Sequence, residues 1–245
     1  MKFKFLLCMA LAMSLFSCSK NDEPGNGNQS DNNSKVTINA NGTTSTGVSF
    51  SSIDETSFYL DYVKYKIVDS HLEIVGYDPI EIGSIVTPYA TVVLNGTSYN
   101  TRVVGKQAFY DCENMTEINL PNTITTIDDW YAFGSCINLK KISWPKELVR
   151  IGDHAFSRCT SLMQIVIPGT VKEIRGSAFY ECDSLTDIYV SGMPKCQFTV
   201  ISGQLVSSVF TSYTATLHVT KENYEWIKQA AVWSNFENIV ADYNP

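Results

Sequence analysis

Between Val104 and Val190 the apolar residues recur in a fixed order. An Ala–Phe pair is followed three residues on by Cys and three further on by another apolar residue. Two strand-like apolar positions come next, as in Ala155-Phe156, Cys159, Leu162, Ile165 and Ile167. The pairs begin at Ala108, Ala132, Ala155 and Ala178, and Cys112, Cys136, Cys159 and Cys182 repeat the same steps of 24, 23 and 23 residues. Ala155, Phe156, Cys159 and Leu162 stand at i, i+1, i+4 and i+7, the spacing of one side of a short helical turn. Gln164-Ile165-Val166-Ile167 then changes to the alternation of a strand. Pro168-Gly169-Thr170 signals a turn, and proline closes the strand because it has no N–H for the ladder. A second extended piece, Val171 to Ile174, leads to the next pair.

One such unit cannot bury its apolar side alone, whereas stacked units can. The expected interior is a column of Phe109, Phe133, Phe156 and Phe179 beside a column of Ile118, Ile142, Ile165 and Ile188. Trp144 holds the place of Leu120 and Ile167 and reads as core. The fourth copy has Ser191 where proline stands in the others, which suggests that the array ends there.

Stack ends expose core and need atypical covers. Upstream, Phe58 to Tyr77 alternates around Asp69-Ser70 and reads as a β-hairpin, and Ala90 to Val104 turns at Asn95-Gly96, a strong hairpin signal. Residues 36–57, rich in Thr and Ser, have no clear assignment. Downstream, Ala215 to Val219 reads as a strand with Thr220 as the N-cap of a helix over Lys221 to Val232, and a strand over Asn238 to Ala241 closes the chain. The helix would place Tyr224, Ile227 and Ala231 on one face.

The pattern A-F-x-x-C-x-x-L-x-x-I-x-I-P resembles the BspA-like leucine-rich-repeat surface proteins of oral and gut anaerobes. The resemblance covers residues 101–194, and the ending ATLHVTKENYEWIKQAAVWSNFENIV is similar to the caps of that family. It implies an α+β, mainly β fold: a right-handed solenoid with a parallel sheet, a β-hairpin N-terminal cap and a strand-helix-strand C-terminal cap. The Asn ladder of ordinary leucine-rich repeats is missing. Related proteins are adhesins, so the resemblance also implies binding to host matrix proteins or to other cells.

The first residues follow other rules. MKFK is a positive n-region, and Phe5 to Phe16 is an apolar stretch too short to span a bilayer. Leu15-Phe16-Ser17-Cys18 resembles a bacterial lipobox, which makes residues 1–17 a signal peptide and Cys18 the lipid-attachment residue. No hydrophobic residue lies between Ser19 and Lys35, so 18–35 reads as a tether, and its Lys20-Asn21-Asp22-Glu23 resembles a surface-export signal of Bacteroidetes lipoproteins. The expected order is then 36–100 as a β-rich N-terminal cap, 101–194 as repeats and 195–245 as a C-terminal cap. The expected location is the outer membrane, at the cell surface, with lipid as the only membrane contact.

Composition narrows the chemistry. The net charge of −7 comes without any Lys/Arg run, so nucleic acid is excluded as a partner. Stacked repeat cysteines would stand about 5 Å apart in parallel, a poor aim for disulfides, which favours packed free thiols. Cys196 stands alone and can pair or stay free. No zinc-type Cys or His pair, P-loop or hydrolase motif occurs among the residues, so no catalytic residue, metal or cofactor is assigned. Asp153-His154 lies one coil from Asp128-Asp129, a metal-like grouping whose ordinary use is turn formation.

Two surfaces remain as candidates. Outward strand positions form the columns Glu117, Lys141, Gln164, Asp187 and Asn119, Ser143, Val166, Tyr189, a regular face suited to a protein or polymer partner. The second repeat carries one extra residue within Asp128-Asp129-Trp130-Tyr131, a bulge that exposes Trp130 and Tyr131 for stacking on a sugar unless packing absorbs it. The sequence is read as a non-enzymatic adhesin-like lipoprotein. A glycan-binding accessory for nutrient capture and a structural envelope protein are the alternatives.

Overall fold

The computed structural model describes residues 35–39, 44, 48–196, 199–201 and 204–245, with backbone alone over 195–196, 199–201 and 204–207. The leader, Cys18, the tether and the side chain of Cys196 lie outside the described residues. No described helix is long and apolar enough to cross a membrane.

Each coil of the solenoid gives one strand to a front face and one to a back face. The back strands Thr126–Ile127, Arg150–Ile151, Glu173–Ile174 and Lys195–Cys196 pair in parallel, in register, and continue onto Thr97–Val104. The N-terminal cap is built into this same sheet. Thr97–Val104 pairs in parallel with His71–Tyr77, which opens the antiparallel series Val63–Val68, Ser57–Leu60 and Phe50–Ser52. Both expected hairpins are present, the second turning at Asn95 and Gly96 with positive φ at each. Lys35–Ile38, in the unassigned stretch, runs parallel to Thr91–Leu94.

The front face consists of two parallel sheets. One joins Ile85–Val86, Glu117–Asn119 and Lys141–Ser143, and the other joins Gln164–Ile167, Asp187–Val190, Thr216–Val219 and Asn238–Val240. The division falls beside Trp144, which is buried as expected and packs on Phe156 and Phe179 in the following two coils.

The segment from the Ala–Phe pair to the Cys is not a helical turn. Residues before the Ala (Gln107, Tyr131, His154, Ser177) and before the Cys (Asp111, Ser135, Arg158, Glu181) have left-handed φ near 55–65°. Alternate N–H groups therefore point in opposite directions. Ser157 and Cys159 donate within the coil, to His154 and Phe156, while Phe156 and Arg158 donate to Ala178 and Tyr180 of the next coil. The i, i+4 spacing of apolar residues is preserved, but half of the backbone bonds run between coils.

Stacking carries the core. Phe109, Phe133, Phe156 and Phe179 lie within 8° of parallel at successive centroid distances of 5.3, 4.9 and 5.4 Å, and Phe210 continues the column at 5.4 Å. The array thus runs past Ser191 into a fifth coil, where Val209-Phe210 replaces Ala–Phe. Tyr77 from the cap begins the column at 6.0 Å, and Trp233 and Phe236 close it edge-on at 5.8 and 5.3 Å. The C-terminal helix is shorter than expected, Tyr224–Ile227, followed by a 3-10 turn Trp233–Asn235. Ile227 and Trp233 are buried and Ala231 is exposed. Thr220 makes no side-chain hydrogen bond, and Asn223 stands at the N-cap position.

Candidate binding surfaces

Register brings the front columns together within each sheet. Lys141 stands opposite Glu117 and Ser143 opposite Asn119, while Gln164 stands opposite Asp187 and Val166 opposite Tyr189. Short polar side chains join neighbours. The Lys141 Nζ lies 3.2 Å from Glu117 Oε1, Ser143 Oγ donates to Asn119 Oδ1 at 2.9 Å, and Asn119 Nδ2 donates to Thr87 Oγ1 at 3.2 Å. The second sheet extends both columns, with Thr216 and Asn238 in line with Asp187, and His218 and Val240 in line with Tyr189.

Tyr189 differs from its column. It is only 8 % exposed, because His218 stacks on it at 4.3 Å and Tyr243 meets it edge-on at 5.2 Å. His218 places Nε2 3.0 Å from Asp187 Oδ1 and Nδ1 2.8 Å from Asp242 Oδ1, tying the last residues to the front face. Burial, then the nearby Asp187 and Asp242 carboxylates, push the Tyr189 phenol up. His218 was within reach of sequence reasoning: aligning A-T-L-H-V with T-D-I-Y-V places it in the column.

At the bulge, Phe133 and Ser135 donate to Ala155 and Ser157, each 22 residues on, whereas Trp130 donates to Asp153, 23 residues on. The extra residue therefore lies between Trp130 and Phe133. Trp130 and Tyr131 both take left-handed φ, 65° and 64°. Trp130 is 53 % exposed with Lys106 Nζ 5.8 Å from its ring centre. Tyr131 instead folds inward, stacks on His154 at 4.8 Å and meets Tyr110 edge-on at 5.8 Å. A Cβ on Gly134 would lie 2.6 Å from the Tyr131 ring, so the glycine makes the space that Tyr131 fills. Tyr110, the ring that meets Tyr131, is also exposed, and the sequence pattern did not single it out.

The grouping of Asp128, Asp129, Asp153 and His154 is organised by arginines. Asp128 Oδ1 lies 2.5 Å from Arg150 Nη2, and Asp129 Oδ2 lies 3.1 Å from Arg150 Nη1 and 2.7 Å from Arg175 Nη1. Asp129 Oδ1 accepts the Asp153 N–H at 2.8 Å. Burial raises the Asp129 carboxyl, but the Asp153 N–H and the two arginines outweigh it and hold it below the usual range. Among the described residues no group of three or more His, Cys, Asp or Glu is placed to hold a metal ion.

Residues 95–206 match the BspA type leucine rich repeat region in six copies, two more than the sequence pattern alone separates. That match covers the repeat region of the chain. A leucine-rich repeat protein from Bacteroides capillosus ATCC 29799 is 25% identical with a TM-score of 0.51, covering 56% of this chain and 100% of its own. A leucine rich repeat protein from T. pallidum is 26% identical with a TM-score of 0.51, covering 65% and 68%. A leucine rich cell surface protein from Faecalibacterium prausnitzii A2-165 is 21% identical with a TM-score of 0.49, covering 56% and 34%, so the present chain spans about a third of its length. No curated protein matches the sequence.

Proposed function

We propose that this is a lipid-anchored envelope protein that works outside the cell, without catalysis or cofactor, by binding an extracellular protein through its front face. The observation that carries this is the front itself. Equivalent strand positions present Glu117 with Lys141 and Asn119 with Ser143 as side-chain pairs already joined by hydrogen bonds, and Gln164 with Asp187 and Val166 in register on the second sheet. Side chains fixed before contact lose little freedom on binding. The leader and Cys18 supply the membrane attachment, and the match of the repeat region to the BspA type leucine rich repeat, which resembles surface proteins, supports an outward orientation.

The test is digestion of the tagged chain on intact cells, with a periplasmic protein as control. Cleavage on intact cells is expected, followed by capture of matrix proteins that weakens when Lys141→Glu and Gln164→Arg are introduced together. Protection until lysis overturns the surface assignment. Full capture by the double variant overturns the front-face assignment and favours a structural envelope role.

A further inference from the structure

The turn edge at the second coil holds a constellation that the front face does not use. The inserted residue, Gly134 and His154 act together there. Gly134 leaves room for the Tyr131 ring, His154 receives it at 4.8 Å, and Trp130 is left pointing outward in a left-handed conformation. In the three other coils the residue before the Ala–Phe pair is also left-handed, so the Tyr131 conformation is common to the fold. Counted from the back strand, Trp130 holds the place of Gln107, His154 and Ser177, so this coil has two successive left-handed residues where the others have one.

Around Trp130 the chemistry is mixed and short of a single charge sign. Lys106 lies over the indole, Gln107 is exposed beside it in sequence, and its backbone N–H is anchored on the Trp130 carbonyl at 3.2 Å. Tyr110, 42 % exposed, adjoins Tyr131 from the coil before. In the row that Tyr131 begins, the next two coils supply His154 Nδ1 and Ser177 Oγ, two of the three buried side-chain polar atoms without a partner among the described residues. Successive coils are separated by the spacing of adjacent strands, about 4.8 Å, close to the length of one sugar unit in a linear glycan.

From this we propose that the turn edge is a carbohydrate site for a neutral β-linked hexopyranose chain. Trp130 is the stacking plate, Tyr110 is the second contact ring, and Tyr131 with His154 is the support that fixes both. A pyranose with equatorial hydroxyls offers a face of C–H groups to the indole and directs its hydroxyls sideways, toward Lys106 and Gln107. Indole is a broad apolar face, and at 53 % exposure it is open to a ring ligand.

The test titrates the full chain with cellohexaose and laminarihexaose by calorimetry, following tryptophan fluorescence in parallel. Saturable binding of at least one of the two is expected. Trp130→Ala and Tyr110→Ala should each weaken it about tenfold or more, while Trp130→Phe retains part of it. Gln164→Arg on the front face should leave it unchanged, so this proposal and the front-face assignment fail separately. Should Trp130→Ala lose its native circular dichroism, Trp130→Phe and Tyr110→Ala carry the comparison. No saturable binding of either sugar, or equal binding by wild type and ring variants, overturns the proposal.

Discussion

Cysteine at the fifth position of A-F-x-x-C has, in three of the coils, a task that alanine cannot perform. The thiols of Cys136, Cys159 and Cys182 donate to the carbonyls of Phe109, Phe133 and Phe156 in the preceding coil at 3.0, 3.2 and 3.1 Å. A thiol is small and apolar enough for the interior and still offers a weak donor. All four repeat cysteines are free and buried, and burial, helped by neighbouring Cys136, pushes the Cys112 thiol up to about 12. A raised value means that the protonated form is favoured by folding. Its stabilisation is complete below the unfolded thiol value of about 8.5 and is lost progressively as pH rises from there through about 12. Iodoacetamide at pH 8.5 should therefore leave Cys112, Cys136, Cys159 and Cys182 unmodified in the native protein and label all four in denaturant, read by peptide mass spectrometry. Native labelling at any of the four would show that the coil opens locally. Gly152 makes the matching argument for the backbone. An added Cβ would collide with the Asp128 carbonyl group and the Asp129 nitrogen, atoms that cannot rotate away. Gly152→Ala should cost about 3 kcal/mol and lower Tm by several degrees, whereas Gly83→Ala, with only one backbone atom at 3.9 Å, should not.

Among the elements, the back edge where Thr126–Ile127 runs into the bulge depends on Asp129. Its carboxylate meets Arg150 and Arg175 and accepts the Asp153 N–H, so it ties together three successive coils. The carboxyl is held below its ordinary value of about 3.9. A depressed value means that the stabilisation is present above the unfolded value and disappears as pH falls through the lower folded one. Wild type should lose this contribution only below about pH 4, and Asp129→Asn, which cannot ionise, should be less stable at pH 7 by about 1–3 kcal/mol and converge on wild type in acid. A constant difference from pH 7 to pH 2 in denaturant titrations would sink the assignment. This network also explains what the sequence did and did not disclose. The repeat period, the phenylalanine column and the front strands are legible because each rests on apolar residues that must face inward at a fixed step. The backbone of the A-F-x-x-C segment is not, because alternating left-handed residues place Ala, Phe and Cys at the same spacing that a helical turn would. The arginine clamp escaped because Arg150 and Arg175 lie one and two coils from Asp129, and only the stack brings them together. Exposure and packing of Tyr131 stayed open alternatives because nothing local says that Gly134 leaves it a berth. Tyr189 was misjudged because its cover, Tyr243, comes from the far end of the chain.

For the whole molecule, a stack in which each coil touches only its neighbours is as stable as its two ends allow. The upstream end is covered by strands hydrogen-bonded into the back sheet itself, so the cap and the array share one set of ladders from Phe50 to Cys196. The downstream end is covered differently. Phe210 extends the ring column, and Trp233 and Phe236 then meet it edge-on, which stops the stack because no further ring can lie flat against it. Thr216–Val219 covers the edge of Asp187–Val190 in the same way on the front sheet. Deleting residues 208–245 removes both covers at once and leaves Phe179 and a parallel strand edge open to water, a template for association with other chains. A chain of residues 35–207 should therefore aggregate or bind a hydrophobic dye at concentrations where residues 35–245 remain monomeric with one cooperative unfolding transition. The pair Trp233→Ala and Phe236→Ala, which keeps the strand and removes only the edge-on rings, should fall between the two. Removing residues 1–34 alone should leave the transition unmoved, because from Ser19 to Lys35 that segment has no hydrophobic residue to contribute. If residues 35–207 instead unfold at the same temperature as the longer chain, the terminal coil is not a cap. The stability of the array would then reside in the continuous back sheet.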